Sequence, residues 1–171
     1  MNATDTTQSA QETMTAITRA VELGRTGSAA AARDTLLEIW AALGPQGDPL
    51  HRCTLAHYLA DLYDDALQAL CWDVRALDAA DSLTNERLQR HDANLDVRGF
   101  YPSLHLNLAD NYRRLGSFDA AQREIDAAQE YVDALANDGY GAMIRTAIDE
   151  VTEAIRTRTT ARRASAPNGA G

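Results

Sequence analysis

The stretch from Leu104 to Ala128, LHLNLADNYRRLGSFDAAQREIDAA, limits the fold of this chain more tightly than any other. Leu104, Leu108, Tyr112 and Leu115 recur at intervals of four, four and three residues, which places their side chains on one face of an α-helix. Pro102 suits the first turn of that helix, where its missing N–H leaves no bond unmade. Gly116 follows the last apolar position and fits a left-handed C-cap. A second stripe of Phe118, Ala121, Ile125, Ala128 and Val132 then begins, so helix resumes. With so short a connection the two helices are antiparallel and their stripes face each other. Ala109 and Ala121 are small where a neighbour must come close.

These residues resemble the tetratricopeptide repeat family. His105 stands at the family's first aromatic position, Leu108-Ala109 at its Leu-Gly pair and Tyr112 at its Tyr, with Gly116 at the turn. Phe118, Ala121, Ile125 and Ala128 follow the pattern of the second helix. His105 in place of Trp and Asp133 in place of the closing Pro are departures from it. The resemblance implies an all-α fold, a right-handed solenoid of about three helical hairpins plus a C-terminal capping helix. It also implies a concave groove that holds a partner.

Along the chain, residues 1–10 are polar and expected to be disordered, with helix beginning near Gln11. A first repeat-like unit spans 12–45. Ile17, Ala20, Val21 and Leu23 face inward from one helix, and Ala32, Leu36, Ile39, Trp40 and Leu43 from the next. Ala20, Gly27 and Ala32 keep the spacing of Ala109, Gly116 and Ala121. GPQGDP is a loop, and a second unit spans 49–81. Leu55, Ala56, Leu59 and Leu62 form its first stripe; Leu70, Val74 and Leu77 its second, with Trp72 close by. Residues 82–101 are an insertion, with a helix expected over Asn85–Leu95 and an RGFYP loop after it. That helix has Leu88 and Leu95 apolar and Arg87, Arg90, His91 and Asn94 polar. Insertions in repeat arrays map to loops on one face, often the binding face; otherwise this one packs Phe100 and Tyr101 on the array. The third unit covers 102–135, the capping helix 140–158 with Ile144, Ile148, Val151 and Ile155 inward, and 159–171 a disordered basic tail.

Composition narrows the classes further. The chain is 45% hydrophobic but only 6% aromatic, which favours close-packed helices over sheet. All 16 basic residues are Arg, a bias that with the abundant Ala points to a GC-rich bacterial genome. The net charge is −9 although the tail from Arg156 onward holds four Arg and no acid, so the body repels phosphate backbones and accepts a basic segment. Nucleic acid and membrane are therefore not expected partners. The two cysteines, Cys53 and Cys71, lack motif spacing and fit a reduced cytoplasmic chain. No signal peptide or bilayer-length apolar run is visible.

Cys53, His57 and Asp61, spaced i, i+4 and i+8, share a helix face and in this resemblance line the groove as polar, solvated side chains. Without a Cys-x-x-Cys or His-Glu-x-x-His pair they do not define a metal site. Nucleophile, base and orienting group are not assembled anywhere in the sequence, so an enzyme is not expected, and no cofactor is assigned. Gly139-Tyr140-Gly141 lacks the preceding strand of a nucleotide site and reads as a capping turn. Asn107, Asp110 and Arg114 should point where Cys53, His57 and Asp61 point, with Asn111 and Arg113 at the margins. Asn107 is similar to one Asn of the chaperone-tail-binding members of the family, whose clamp grips a terminal carboxylate. Arg98, Arg113 or Arg114 would take the place of the clamp's usual Lys. The expected partner face is thus His57, Asp61, Arg98, Tyr101, Asn107, Asp110, Asn111, Arg113 and Arg114. It would bind a protein or peptide carrying a basic segment, by a monomer or a homodimer. The alternative is a small-molecule- or metal-responsive regulator using the same face and the RGFYP loop.

Overall fold

A computed structural model describes residues 3–92 and 96–164, with side chains described from Gln8 onward. All regular structure among these residues is helical. The helices are α1 (Ala3–Arg25), α2 (Ala29–Leu43), α3 (Pro49–Asp61), α4 (Ala66–Asp81), α5 (Asn85–Gln89), α6 (Tyr101–Arg114), α7 (Phe118–Glu130) and α8 (Gly139–Arg156). Single 3-10 turns cover Val97–Gly99 and Val132–Ala134. No described helix is long and apolar enough to cross a membrane.

Three pairs of consecutive helices pack on each other: α1 with α2, α3 with α4, and α6 with α7. Short connections make the members of each pair antiparallel. Two of the turns share one bonded motif. At the end of α1, the Ser28 N–H donates to the Leu23 carbonyl and the Gly27 N–H to the Gly24 carbonyl. At the end of α6, the Ser117 N–H donates to Tyr112 and the Gly116 N–H to Arg113. These are Schellman caps, and Gly27 at φ +99 and Gly116 at φ +77 occupy their left-handed position. The α3–α4 connection has no such glycine; Asp65 caps α4 by accepting the Gln68 N–H at 2.9 Å.

The pairs follow one another in contact. α3 touches both helices of the first pair, α4 packs on α6, and α8 covers α6 and α7. Two apolar clusters result. One joins α1 to α5 around Ile17, Leu36, Leu55, Leu59 and Leu88, and takes in Leu104 at the start of α6. The other gathers Leu106, Ala109, Ala121, Ile125, Ile144, Ile148 and Val151 from α6, α7 and α8. Each fully buried Leu or Ile contributes about 1.5–3 kcal/mol of transfer free energy, so these positions dominate packing.

Several expected details differ. α1 starts at Ala3 rather than near Gln11. Leu23 and Leu115, placed inward by periodicity, are exposed at helix ends, beyond the reach of the neighbouring helix. On α4 the buried set is Ala69, Trp72, Asp73, Ala76, Ala79 and Ala80, while Val74 is 47% exposed. Alanines let α4 approach α3 and α6 closely, and the larger Leu70 and Leu77 lie at the flanks, partly buried. The helix expected over Asn85–Leu95 ends at Gln89, with a turn through His91 and Asp92; Asn94 and Leu95 lie outside the described residues. The Val97 N–H donates to Asn85 Oδ1 at 2.9 Å across this connection. Phe100 and Tyr101 pack on the first apolar cluster.

Candidate functional site

The contact of α4 with α6 carries a polar seam between the two apolar clusters. Asp73, on α4, falls on one face with Ala69, Ala76 and Ala80 at intervals of four, three and four residues, and is 1% exposed. α6 presents Asn107 and Asn111 to it, one turn apart. The Asn107 amide donates to Asp73 Oδ1 at 3.3 Å and the Asn111 amide to Asp73 Oδ2 at 2.8 Å. Asn107 also lies 3.5 Å from His57 Nδ1, which ties α3 to the same seam. Burial drives the Asp73 carboxyl well above the usual carboxylate range, and the nearby Asp61 and Asp110 add to the rise while the two amides oppose it. Asp61 is raised as well, chiefly by burial, with His57 and Asn107 acting the other way.

Two residues beyond Asn111 on α6 stands Arg113, wholly buried. Its Nε and Nη2 donate to Asp110 Oδ1 at 2.9 and 2.5 Å. Its Nη1 reaches past the end of α8 and donates to the main-chain carbonyls of Thr159 and Ala161, at 2.6 and 2.8 Å. Arg114 turns the other way, bonding Asn111 Oδ1 at 3.3 Å and the Asp64 carbonyl.

The chain after α8 lies over this ground. Arg158 takes a left-handed φ of +52, and its guanidinium sits 4.5 Å from the Phe118 ring centre. Arg162 pairs with the Asp64 carboxylate. Arg163 lies 3.5 Å from Asp110 Oδ1 and donates to Glu150 Oε2 at 2.9 Å. Residues 159–164, expected to be part of a disordered tail, lie against Arg113 and the acids by main chain and side chains; 165–171 lie outside the described residues. Asp61, Asp73, Asn107, Asp110, Asn111, Arg114, Arg162 and Arg163 together line a cavity of about 40 Å³, space for a water or two rather than a small molecule.

The sequence-derived face is thus brought together in large part. His57, Asp61, Asn107, Asp110, Asn111 and Arg114 meet where α3, α4 and α6 adjoin. Arg113 is near them but buried, its donors engaged by Asp110 and by the tail. Arg98 and Tyr101 belong elsewhere. The Tyr101 ring stacks 5.9 Å from His105 and lies tilted 4.8 Å from Tyr131, its hydroxyl donates to Asp81 at 3.0 Å, and the exposed Arg98 lies 6.0 Å over Tyr131. His105 is held by Glu124 at 2.8 Å.

Cys53 is not groove lining. It is 1% exposed in the first apolar cluster, and burial raises its thiol to about 12. Four residues before His57 and eight before Asp61, Cys53 is turned roughly 80° from Asp61 at about 100° per residue, and no described group of three His, Cys, Asp or Glu is placed to hold a metal ion. Asp73, Asp64 and Glu150 are not singled out by the sequence; Arg156, Arg158, Arg162 and Arg163 are, as groups able to touch an acidic partner or the chain's own acidic body. The readable signal for Asp73 was its phase with three alanines, a narrow stripe that only close helix contact produces.

No protein-family model matches this chain, and neither the curated proteins nor the solved structures yield a match.

Proposed function

We propose that this chain is a non-catalytic interaction module of tetratricopeptide-like build, which receives a protein or peptide segment on the face where α3, α4 and α6 adjoin. Three successive hairpins, the Schellman caps recurring at Gly27 and Gly116, and α8 laid over the last pair support a solenoid with a terminal cap. One observation carries the binding role: Asp61, Asp73 and Asp110 converge from three helices, with Asn107, Asn111 and Arg114 among them, on one small cavity. The ionised members of this cluster attract cationic side chains and disfavour anions, while the enclosed Asp73 carboxyl, raised by burial, serves as a hydrogen-bonding centre. The free thiols of Cys53 and Cys71 fit a reducing compartment.

The test is affinity capture from the native host with the full chain and with an Asp61→Asn/Asn107→Ala variant whose helicity is first matched by circular dichroism. A partner captured by the parent and lost by the variant is expected. Equal capture by both would overturn the assignment of this face.

A further inference from the structure

The C-terminal arm shows what kind of segment the acidic face accepts. It leaves α8 through the same bonded cap that ends α1 and α6: the Thr159 N–H donates to the Ala154 carbonyl and the Arg158 N–H to Ile155. Here, however, Arg158 holds the left-handed position that glycine holds in the other two. The reversal sends residues 159–164 back across α6 rather than away from it. There the arm is gripped in two ways. Arg113 binds its main chain at Thr159 and Ala161, which any sequence offers, and Asp64, Asp110 and Glu150 take the side chains of Arg162 and Arg163, which few sequences offer.

We infer that the acidic face recognises a non-helical segment carrying two consecutive arginines, and that residues 159–163 are a resident copy of that segment which a partner must displace. This rests on the reading of the same face as a partner site. Consecutive arginines reach opposite walls: Arg162 goes to Asp64 beyond the end of α3, Arg163 to Asp110 on α6 and Glu150 on α8. Guanidinium suits this role better than ammonium because its planar fork meets a carboxylate with two donors. A tethered occupant acts at an effective concentration on the order of millimolar. The apparent affinity for a free segment therefore falls by the fraction of molecules in which the arm is displaced.

The probe is a labelled synthetic peptide of residues 157–164, TRTTARRA, titrated against the full chain and against the full-length Arg162→Ala/Arg163→Ala variant. The variant is expected to bind it at least about tenfold more tightly than the parent at low salt, and a peptide with alanine in place of Arg162 and Arg163 is expected not to bind. Equal affinity of parent and variant, or no binding by the variant, would overturn the inference. Trypsin gives an independent reading on the parent itself. Cleavage after Arg162 and Arg163 should be slower than in the free peptide, and Asp64→Asn/Glu150→Gln should restore the peptide rate; cleavage at the peptide rate in the parent would also overturn it. If the arm is protected yet no partner is captured even by the Arg162→Ala/Arg163→Ala variant, the partner reading fails and the docked arm stands. If capture depends on Asp61 and Asn107 but is indifferent to the arm, the reverse holds.

Discussion

The Asn111 amide donates to Asp73 Oδ2 at 2.8 Å, and through this one bond an acid with almost no exposed surface on α4 is joined to α6. The Asn107 amide serves the other oxygen at 3.3 Å. An acid so enclosed is a proton-binding group of the native state, and its surroundings define what pH does to the fold.

Asp73 has a native pKa raised well above 3.8, the ordinary value to which unfolding returns it. Between those two values the native protein holds a proton that the unfolded chain has released, so stability is greatest below the unfolded value and declines as pH rises through the native one. Asp61 acts in the same direction. The urea midpoint of Asp73→Asn should therefore fall less than that of the parent between about pH 4 and pH 7. Parallel profiles would show that Asp73 does not titrate differently in the two states.

Arg113 is the largest wholly buried side chain, and its closest partner is Asp110. Arg113→Met should cost up to about 3–5 kcal/mol, because it removes the closer of the two cations beside the Asp110 carboxylate and leaves only Arg163 at 3.5 Å. Adding Asp110→Asn should recover part of that loss, so the double variant is more stable than the sum of the singles implies. Urea denaturation of the four proteins in the cycle measures the coupling, and strict additivity would refute it.

Gly116 stands at φ +77 with no atom within 4 Å of where a Cβ would be. The cost of Gly116→Ala is thus backbone strain alone, about 1–2 kcal/mol. Arg158→Gly is the opposite exchange. It relieves similar strain but loses the contact with Phe118, worth about 0.5–1 kcal/mol at an exposed site. Thermal melts should show a clear loss for the first and little change or a slight gain for the second.

The register of α4 is tested by a pair of substitutions. Val74→Glu should change stability by less than about 0.5 kcal/mol, since the side chain faces solvent. Ala76→Leu should cost about 1–3 kcal/mol by forcing a larger side chain between packed helices. If their order were reversed, the periodic reading of Leu70, Val74 and Leu77 as the inner face would be the correct one.

Much of this architecture was legible in the sequence where the signal was local. Gly27 and Gly116 mark caps whose geometry only glycine adopts at ease, and the Ile144, Ile148, Val151, Ile155 stripe names the buried face of α8 directly. On α4 the cue misled, because bulk stood in for burial: Val74 is apolar and outside, whereas Ala76 and Asp73 are inside. Cys53 was assigned to the wrong side for a related reason, since a face shared at i and i+8 widens enough for one end to reach the core. The seam of His57, Asp61, Asn107 and Asp110 was found because helical phase aligns those residues whatever their neighbours do. The charge of the tail arginines showed that they could touch the chain's own acidic body, but the docking of the arm on Arg113 was not legible, because its anchors lie 46 and 48 residues away and are backbone carbonyls, which leave no mark on residue type.

α6 contributes Leu104 to one apolar cluster and Leu106 and Ala109 to the other, and carries Asn107 and Asn111 on the polar seam. A single rod shared in this way leaves no natural parting line across the protein. Loss of register along those few turns would loosen both ends at once, so denaturation should travel through the whole body as one event instead of stopping midway.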